Sequence, residues 1–180
     1  SQLALGSFDD ATAVATIYIN TNLAVCADVL VCAAITRLAR GKTDVVMMLN
    51  GALGGLVAIT AEPLMPSPLM AIIIGGIGGA LVFAGTELLV SLKIDDVVGA
   101  IPVHLIAGVW GTLAVPITNP DTSFGTQLLG TASICVFVFV VSLIIWAIMK
   151  ATIGIRISEE AEKEGTDVAE TGVIAYSIRD

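Results

Sequence analysis

The side chain best placed to do chemistry is the single histidine, His104, which sits in the apolar stretch Asp95–Ala114. Imidazole changes its charge near neutral pH, so it can accept a proton or a hydrogen bond and hand it on. Ala100, His104, Gly108 and Gly111 recur at helical spacing, which puts them on one face of a helix. Very small neighbours leave room beside the ring for a small solute. Pro102, two residues earlier, lacks a backbone donor and favours a bend. An ionisable group deep in an apolar helix marks a site facing the interior of a bundle. The alternative is a packing histidine bonded to a neighbouring helix. Asp28 is a second ionisable group inside an apolar run, either protonated or facing a partner helix. Asn20, Thr21 and Asn22 read as hydrogen-bonding residues between helices. Glu87, near Lys93, reads as an interfacial acid, and Asp9, Asp10, Glu62 and Asp121 as isolated acids that attract cations weakly.

The elements that must position these residues are apolar throughout. Of 180 residues, 56% are hydrophobic and 13% charged, with a mean hydropathy of +0.96. Ordinary soluble domains carry about 25% charged residues. A soluble globular domain and a disordered chain are excluded, and an integral membrane protein is the remaining class. The net charge of −8 argues against nucleic acid as a partner, because a phosphate-binding surface needs basic clusters. Cys26, Cys32 and Cys135 lie in apolar runs. They show neither metal spacing nor a disulfide framework, and read as small core residues. No nucleophile–base pair or phosphate loop points to an enzyme, and no cofactor is implied.

Five apolar runs, at about 11–36, 45–61, 69–92, 97–118 and 127–150, each approach the ~20 residues that carry a helix across the hydrocarbon core. Backbone polar groups in lipid must be satisfied within the segment, so the fold class is an all-α integral membrane protein with five transmembrane helices. Helix two is the shortest. Gly75 and Gly79, and Gly76 and Ala80, form small-xxx-small pairs in helix three, while Gly51, Gly54 and Gly55 lie in helix two; such spacing lets backbones approach closely. The domain reading is a membrane bundle over 1–150 and a cytoplasmic tail over 151–180.

Orientation follows from the basic residues. Arg37, Arg40 and Lys42 follow helix one, Lys93 follows helix three, and Lys150, Arg156, Lys163 and Arg179 follow helix five; the other two linkers have no Lys or Arg. All eight therefore fall on one side, which the positive-inside rule assigns to the cytoplasm. The amino end is then outside. The chain starts at Ser1, on that external side, without a signal peptide. The expectation is that upstream sequence is missing and that this is the carboxyl part of a longer transporter-like chain, with a small processed five-helix protein as the alternative. The tail carries seven acidic residues against three basic ones. Ser158 through Glu164 reads as a short capped helix ended by Gly165, in either a solvated tail or a docking element.

The stretch Asp95-Asp-Val-Val-Gly-Ala-Ile-Pro-Val-His-Leu-Ile-Ala-Gly-Val-Trp-Gly-Thr-Leu-Ala114 resembles the tenth-helix signature of the ammonium transporter family, which includes the methylammonium permeases and is related to the Rhesus proteins. Asn20-Thr-Asn-Leu-Ala and Leu49-Asn-Gly-Ala-Leu-Gly-Gly-Leu-Val-Ala-Ile-Thr60 resemble parts of its seventh and eighth helices. Gly154-Ile-Arg156-Ile-Ser-Glu-Glu160, with Gly165, Asp167, Gly172, Ala175 and Tyr176, resembles its cytoplasmic regulatory tail. The resemblance implies helices seven to eleven of an eleven-helix protomer, a homotrimer with one pore per protomer, and nitrogen uptake across the cell membrane. It implies that His104 is the second of two pore histidines, the first lying in the missing amino-terminal half of the protomer. It further implies that Ser1 falls at an external ammonium-recruitment serine, by ungapped alignment and without the Phe-Asn motif that precedes it in the family. The family's aromatic gate and recruitment tryptophan are also missing. Leu105 stands where the family commonly has glycine. The expected function is conduction of ammonium or ammonia through a histidine-lined pore, with a PII-type regulatory protein as a partner of the tail. The alternative is a non-conducting ammonium sensor or membrane interaction component.

Overall fold

The computed structural model describes residues 6–175. Ser1, Tyr176, Arg179 and Asp180 lie outside the described residues. Five long apolar helices dominate: α1 (Phe8–Arg40), α2 (Val45–Thr60), α3 (Pro68–Ser91), a π-helical turn (Ile101–Ile106) running directly into α4 (Ala107–Thr118), and α5 (Phe124–Thr152). Four reach membrane-spanning length, and α2, at 16 residues, is the short one. This is an all-α membrane fold with the extent of five transmembrane helices.

Side-chain caps set the helix starts. The Ser7 hydroxyl accepts from the Asp10 amide at 3.0 Å, the Asp44 carboxylate from the Met47 amide at 3.0 Å, and the Ser67 hydroxyl from the Met70 amide at 3.3 Å. Each satisfies one of the amides that a helix leaves orphaned at its first turn. In α1 the first turn carries Asp9 and Asp10, the last carries Arg37 and Arg40, and Gly41 ends the helix at φ +71°. This charge order complements the helix dipole. The cap at Ser7 extends α1 to 33 residues, beyond the expected 11–36.

The buried face of α1 is polar. Asn20, Ala24, Asp28, Cys32 and Thr36 are its buried residues, each four after the last, while Tyr18, Ile19, Leu30 and Leu38 are exposed. That arrangement suits a helix surrounded by hydrocarbon, where polar groups must be satisfied within the protein. Asn20 donates from Nδ2 to the carbonyls of Pro63 and Pro66, at 2.9 and 2.8 Å, and so pins the α2–α3 connection. The Thr36 hydroxyl donates to the Cys32 carbonyl and accepts from the Asp44 amide. Asn22 instead donates to Tyr18 on its own helix, and it is exposed. Of the three cysteines only Cys32 is a core residue; Cys26 is exposed and Cys135 half-buried.

Glycine lets α1, α2 and α3 meet backbone to backbone. A Cβ at Gly55 would lie 2.7 Å from the Ala24 carbonyl oxygen, and one at Gly75 would lie 2.6 Å from the Ala24 Cα. Gly111 of α4 meets α2 in the same way, 2.9 Å from the Ala58 carbonyl carbon. Trp110 completes this joint by donating its indole N–H to the Ile74 carbonyl at 2.9 Å. By contrast α5 has no buried residue, and Phe137, Phe139, Leu143 and Trp146 are exposed on it.

The chain divides into two compact units, 1–133 and 134–180. In the second, α6 (Glu159–Glu164) follows the end of α5, and a π-helical turn covers Asp167–Thr171.

Gly75→Leu should drive a side chain into the Ala24 backbone and lower stability by about 1–3 kcal/mol or more. Gly130→Ala, in α5 with nothing within 4 Å of its Cβ position, should cost nothing and add up to about 1 kcal/mol of helix propensity. Thermal unfolding in detergent measures both, and equal losses would contradict the packing assigned to Gly75.

Candidate functional site

A short irregular stretch before α4 places His104. The two Asp96 carboxylate oxygens accept from the amides of Ala100 and Ile101, both at 2.8 Å. Gly99 takes φ +79°, and a Cβ there would meet the Asn50 amide group of α2. This αL residue ends any continuation of the helix toward Val97, so the helix begins later than the expected 97. His104 therefore lies in the first turn rather than near the middle of its helix. It is still well inside the bundle's depth. Gly85 of α3 packs against Pro102 and Ile106, and six further residues separate Gly85 from the end of α3, roughly 9 Å of helix rise.

Pro102 has no amide hydrogen, and the ladder widens around it: the Ala107 amide donates to the Pro102 carbonyl, five residues back. The expected bend is thus a π-helical turn. Such turns are rare and concentrate at functional sites.

His104 does not face the packed core of the described helices. Pro102, Val103, Ala107, Gly111 and Ala114 form the buried stripe toward α2 and α3. His104 lies one position round from that stripe and is exposed, as are Ala100 and Leu105. Gly108 is half-buried, its Cα facing the Val57 side chain. Ala100, His104 and Gly108 thus share a face. Gly111 leaves it, because its Cα is needed against the Ala58 backbone. The imidazole is not enclosed by the described helices. A histidine at this depth is costly against hydrocarbon, and its immediate flanks are a methyl group and a hydrogen. The arrangement suits a surface that borders more protein or a water-containing passage.

Sequence reasoning missed the charged cluster at the end of the bundle where the basic residues gather. Arg40 pairs with Asp44 at 2.8 Å and with Glu87, and its guanidinium lies 5.5 Å from the centre of the Phe83 ring. Glu87, read from the sequence as an interfacial acid, thus pairs with Arg40. The i,i+4 spacing of Arg40 and Asp44 was visible in the sequence, but the partner 47 residues away was not. Beside this cluster a cavity of about 190 Å³ is lined by Arg40, Asp44, Asn50, Thr86, Asp96 and Gly99, among others. Asp28 was singled out in the sequence, but its enclosure by glycines of two other helices was not.

The tail residues form a local structure of their own. Gly154 and Gly165 take φ of +81° and +103°. Ser158 caps α6 by accepting from the Ala161 amide, Glu160 lies exposed in its first turn, and Arg156 pairs with Glu162 at 3.2 Å. That pair is exposed and adds little stability. Asp167 accepts from the Ala175 amide at 2.8 Å. The amides of Ala175 and then Val168 hold its carboxyl below the usual carboxylate range. A depressed value means that the loop is stabilised above the unfolded value, about pH 3.9, and loses that support as pH falls through the lower folded value. The protection factor of the Ala175 amide, its exchange relative to the intrinsic rate at the same pH, should therefore be higher at neutral pH than in acid, and Asp167→Asn should remove that protection at both. Exchange that is unchanged by the substitution would contradict the contact.

Comparison with known proteins agrees with the arrangement of helices. Residues 4–176 match the Ammonium Transporter Family. The ammonium transporter Amt2 of Archaeoglobus fulgidus is 41% identical over 178 residues, an alignment covering 87% of this chain and 38% of that protein. The ammonium transporter Amt2 of Haloferax mediterranei is 35% identical over 184 residues, covering 96% of this chain and 39% of that protein. Among solved structures, one titled Sensor Amt Protein superposes with a TM-score of 0.82 at 30% identity, covering 88% of this chain and 42% of that one. The chain spans about two fifths of the length of these relatives. A match along nearly the whole chain, carried by helices that pack as described, makes this sequence a member of the ammonium transporter family.

Proposed function

We propose that this chain supplies one wall of a transmembrane pathway for ammonium and ammonia, with His104 as its conducting residue and Ala100 and Gly108 as the small residues that make room beside it. The observation that carries this reading is the exposed imidazole, flanked by a methyl group and a hydrogen, at a depth where contact with lipid is costly. The remaining wall comes from further helices of the same protomer, three of which assemble. The side rich in Lys and Arg faces the cytoplasm, so the amino end is outside and the acidic tail inside. The tail is the regulatory element and a PII-type protein its partner, with Gly154, Arg156, Glu160, Gly165 and Asp167 shaping the segment that responds.

The solute explains the need for histidine. An ammonium ion in a dry pathway loses its hydration at a cost on the order of tens of kcal/mol in the idealised limit. A narrow apolar conduit therefore passes ammonia more easily than the ion. A neutral imidazole can accept the proton or a hydrogen bond and pass it on. In this reading His104 takes that role after ammonium has been recruited outside and has given up its proton.

A second reading is favoured by one neighbour: the structure titled Sensor Amt Protein superposes closely on this chain. In that reading the protein senses ammonium without flux. Vesicle experiments on the protein produced from its own gene separate the two. Conduction predicts methylammonium uptake, and His104→Ala should change uptake or selectivity by about 10²-fold, the scale of a positioned proton-transfer group. Uptake and selectivity unchanged by His104→Ala would reject the role of His104. Absence of uptake in the unmodified protein, with ligand-dependent signalling retained, would favour the sensor.

A further inference from the structure

Asp28 is unused by the pathway proposed above. Among the described residues it is the one carboxyl group that is fully buried. It lies in α1 nine residues before Arg37, roughly 13 Å of helix rise from the basic end. Its surroundings are backbone. A Cβ at Gly51 would lie 2.8 Å from Oδ1, and one at Gly54 or Gly78 would lie 3.0 or 3.2 Å from Oδ2; Gly79 faces Oδ1 more closely still. The four glycines belong to α2 and α3, so the carboxyl group is held between two helices at positions where even a Cβ would crowd its neighbours. Oδ1 lies 3.4 Å from the Cys32 thiol, whose single proton is shared between that oxygen and the Gly79 carbonyl, also at 3.4 Å. Among the described residues Oδ2 has no hydrogen-bond partner. The groups facing the carboxyl are Cys32 on α1, Gly51 and Gly54 on α2, and Gly78 and Gly79 on α3. Cys32 is the one titratable side chain among these, and no basic residue is buried with them.

A bare carboxylate in this setting would carry a buried, unpaired charge inside a membrane span, which is a costly state for a polar group there. A ligand for Oδ2 must supply positive charge and occupy almost no volume. The space between the carboxyl and the glycines is too small for a methyl group. An ammonium ion, about the size of a methyl group, finds no free space there, whereas a proton needs none.

We propose that Asp28 is a membrane-embedded proton-binding site: its carboxyl group binds a proton at Oδ2, in a cradle of four glycines packed too closely for a methyl-sized cation. The site is separate from His104 and stands or falls independently of conduction. The bound proton neutralises the group and lets α1 close on α2 and α3.

Infrared spectroscopy of the protein from its own gene, reconstituted in lipid, reads the site directly. The unmodified protein should show one carboxylic-acid C=O band that persists at neutral pH, is lost in Asp28→Asn, and shifts in frequency in Cys32→Ala, which removes the thiol donor. The second variant keeps the test decisive if Asp28→Asn fails to fold. Adding sodium or ammonium chloride should leave the band in place. A neutral-pH spectrum without such a band, a band that neither substitution alters, or one that either salt replaces with a carboxylate signal would overturn the proposal.

Discussion

The absence of water inside a membrane governs this structure. Every polar group in a spanning helix must find its partner within the protein or remain uncompensated. In α1 the consequence is a buried stripe of Asn20, Asp28 and Thr36 among apolar exposed residues, the reverse of a helix on the surface of a soluble domain. Contact between helices then depends on packing and hydrogen bonds rather than on hydrophobic burial. Gly55, Gly75 and Gly111 allow that packing by bringing backbones together at Ala24 and Ala58. The same constraint makes the exposed face of His104 informative. A lipid-facing helix surface has no reason to place an imidazole between alanine and glycine.

The site is built by devices outside the histidine itself. Asp96 gathers the first amides of the helix, Gly99 turns the chain against Asn50, and Pro102 opens the ladder by one residue. Together they rotate the turn so that Val103 and Ala107 fill the core while His104 and Ala100 stay outside it. The Arg40–Glu87 and Arg40–Asp44 pairs tie the neighbouring helix ends at the same end of the bundle. On the face presented by this turn, Ala100 and Gly108 flank the imidazole one helical turn to either side. The chain spans about two fifths of its relatives' length, so the opposing wall belongs to the proposal rather than to the helices described.

Much of this was legible in the sequence, and the reasons differ by residue. The apolar runs located the helices because length and hydropathy alone decide whether a segment can span lipid. Caps such as Ser158 and Gly165 marked the tail helix because the signals are local. The glycine pairs announced close helix contact, but not that α1 would be the partner of α3. Pro102 announced a lost donor, but not that the ladder would re-form five residues apart at Ala107. That Asp28 faces a partner helix was one of the two readings the sequence offered, but which glycines enclose it was not legible, because those contacts join α1 to two other helices. The exposure of His104 was unreadable for a related reason: facing is set by which neighbours the helix has, and the sequence alone does not rank them.

The claim on which the account rests is that the face holding His104 is covered by protein or by the water of a passage, not by lipid. The most direct measurement is the accessibility of a spin label at His104→Cys in the reconstituted protein, comparing lipid-soluble oxygen with a water-soluble nickel chelate. The account predicts low accessibility to oxygen, whatever the nickel value. High oxygen accessibility with nickel excluded would place the face in lipid and contradict it.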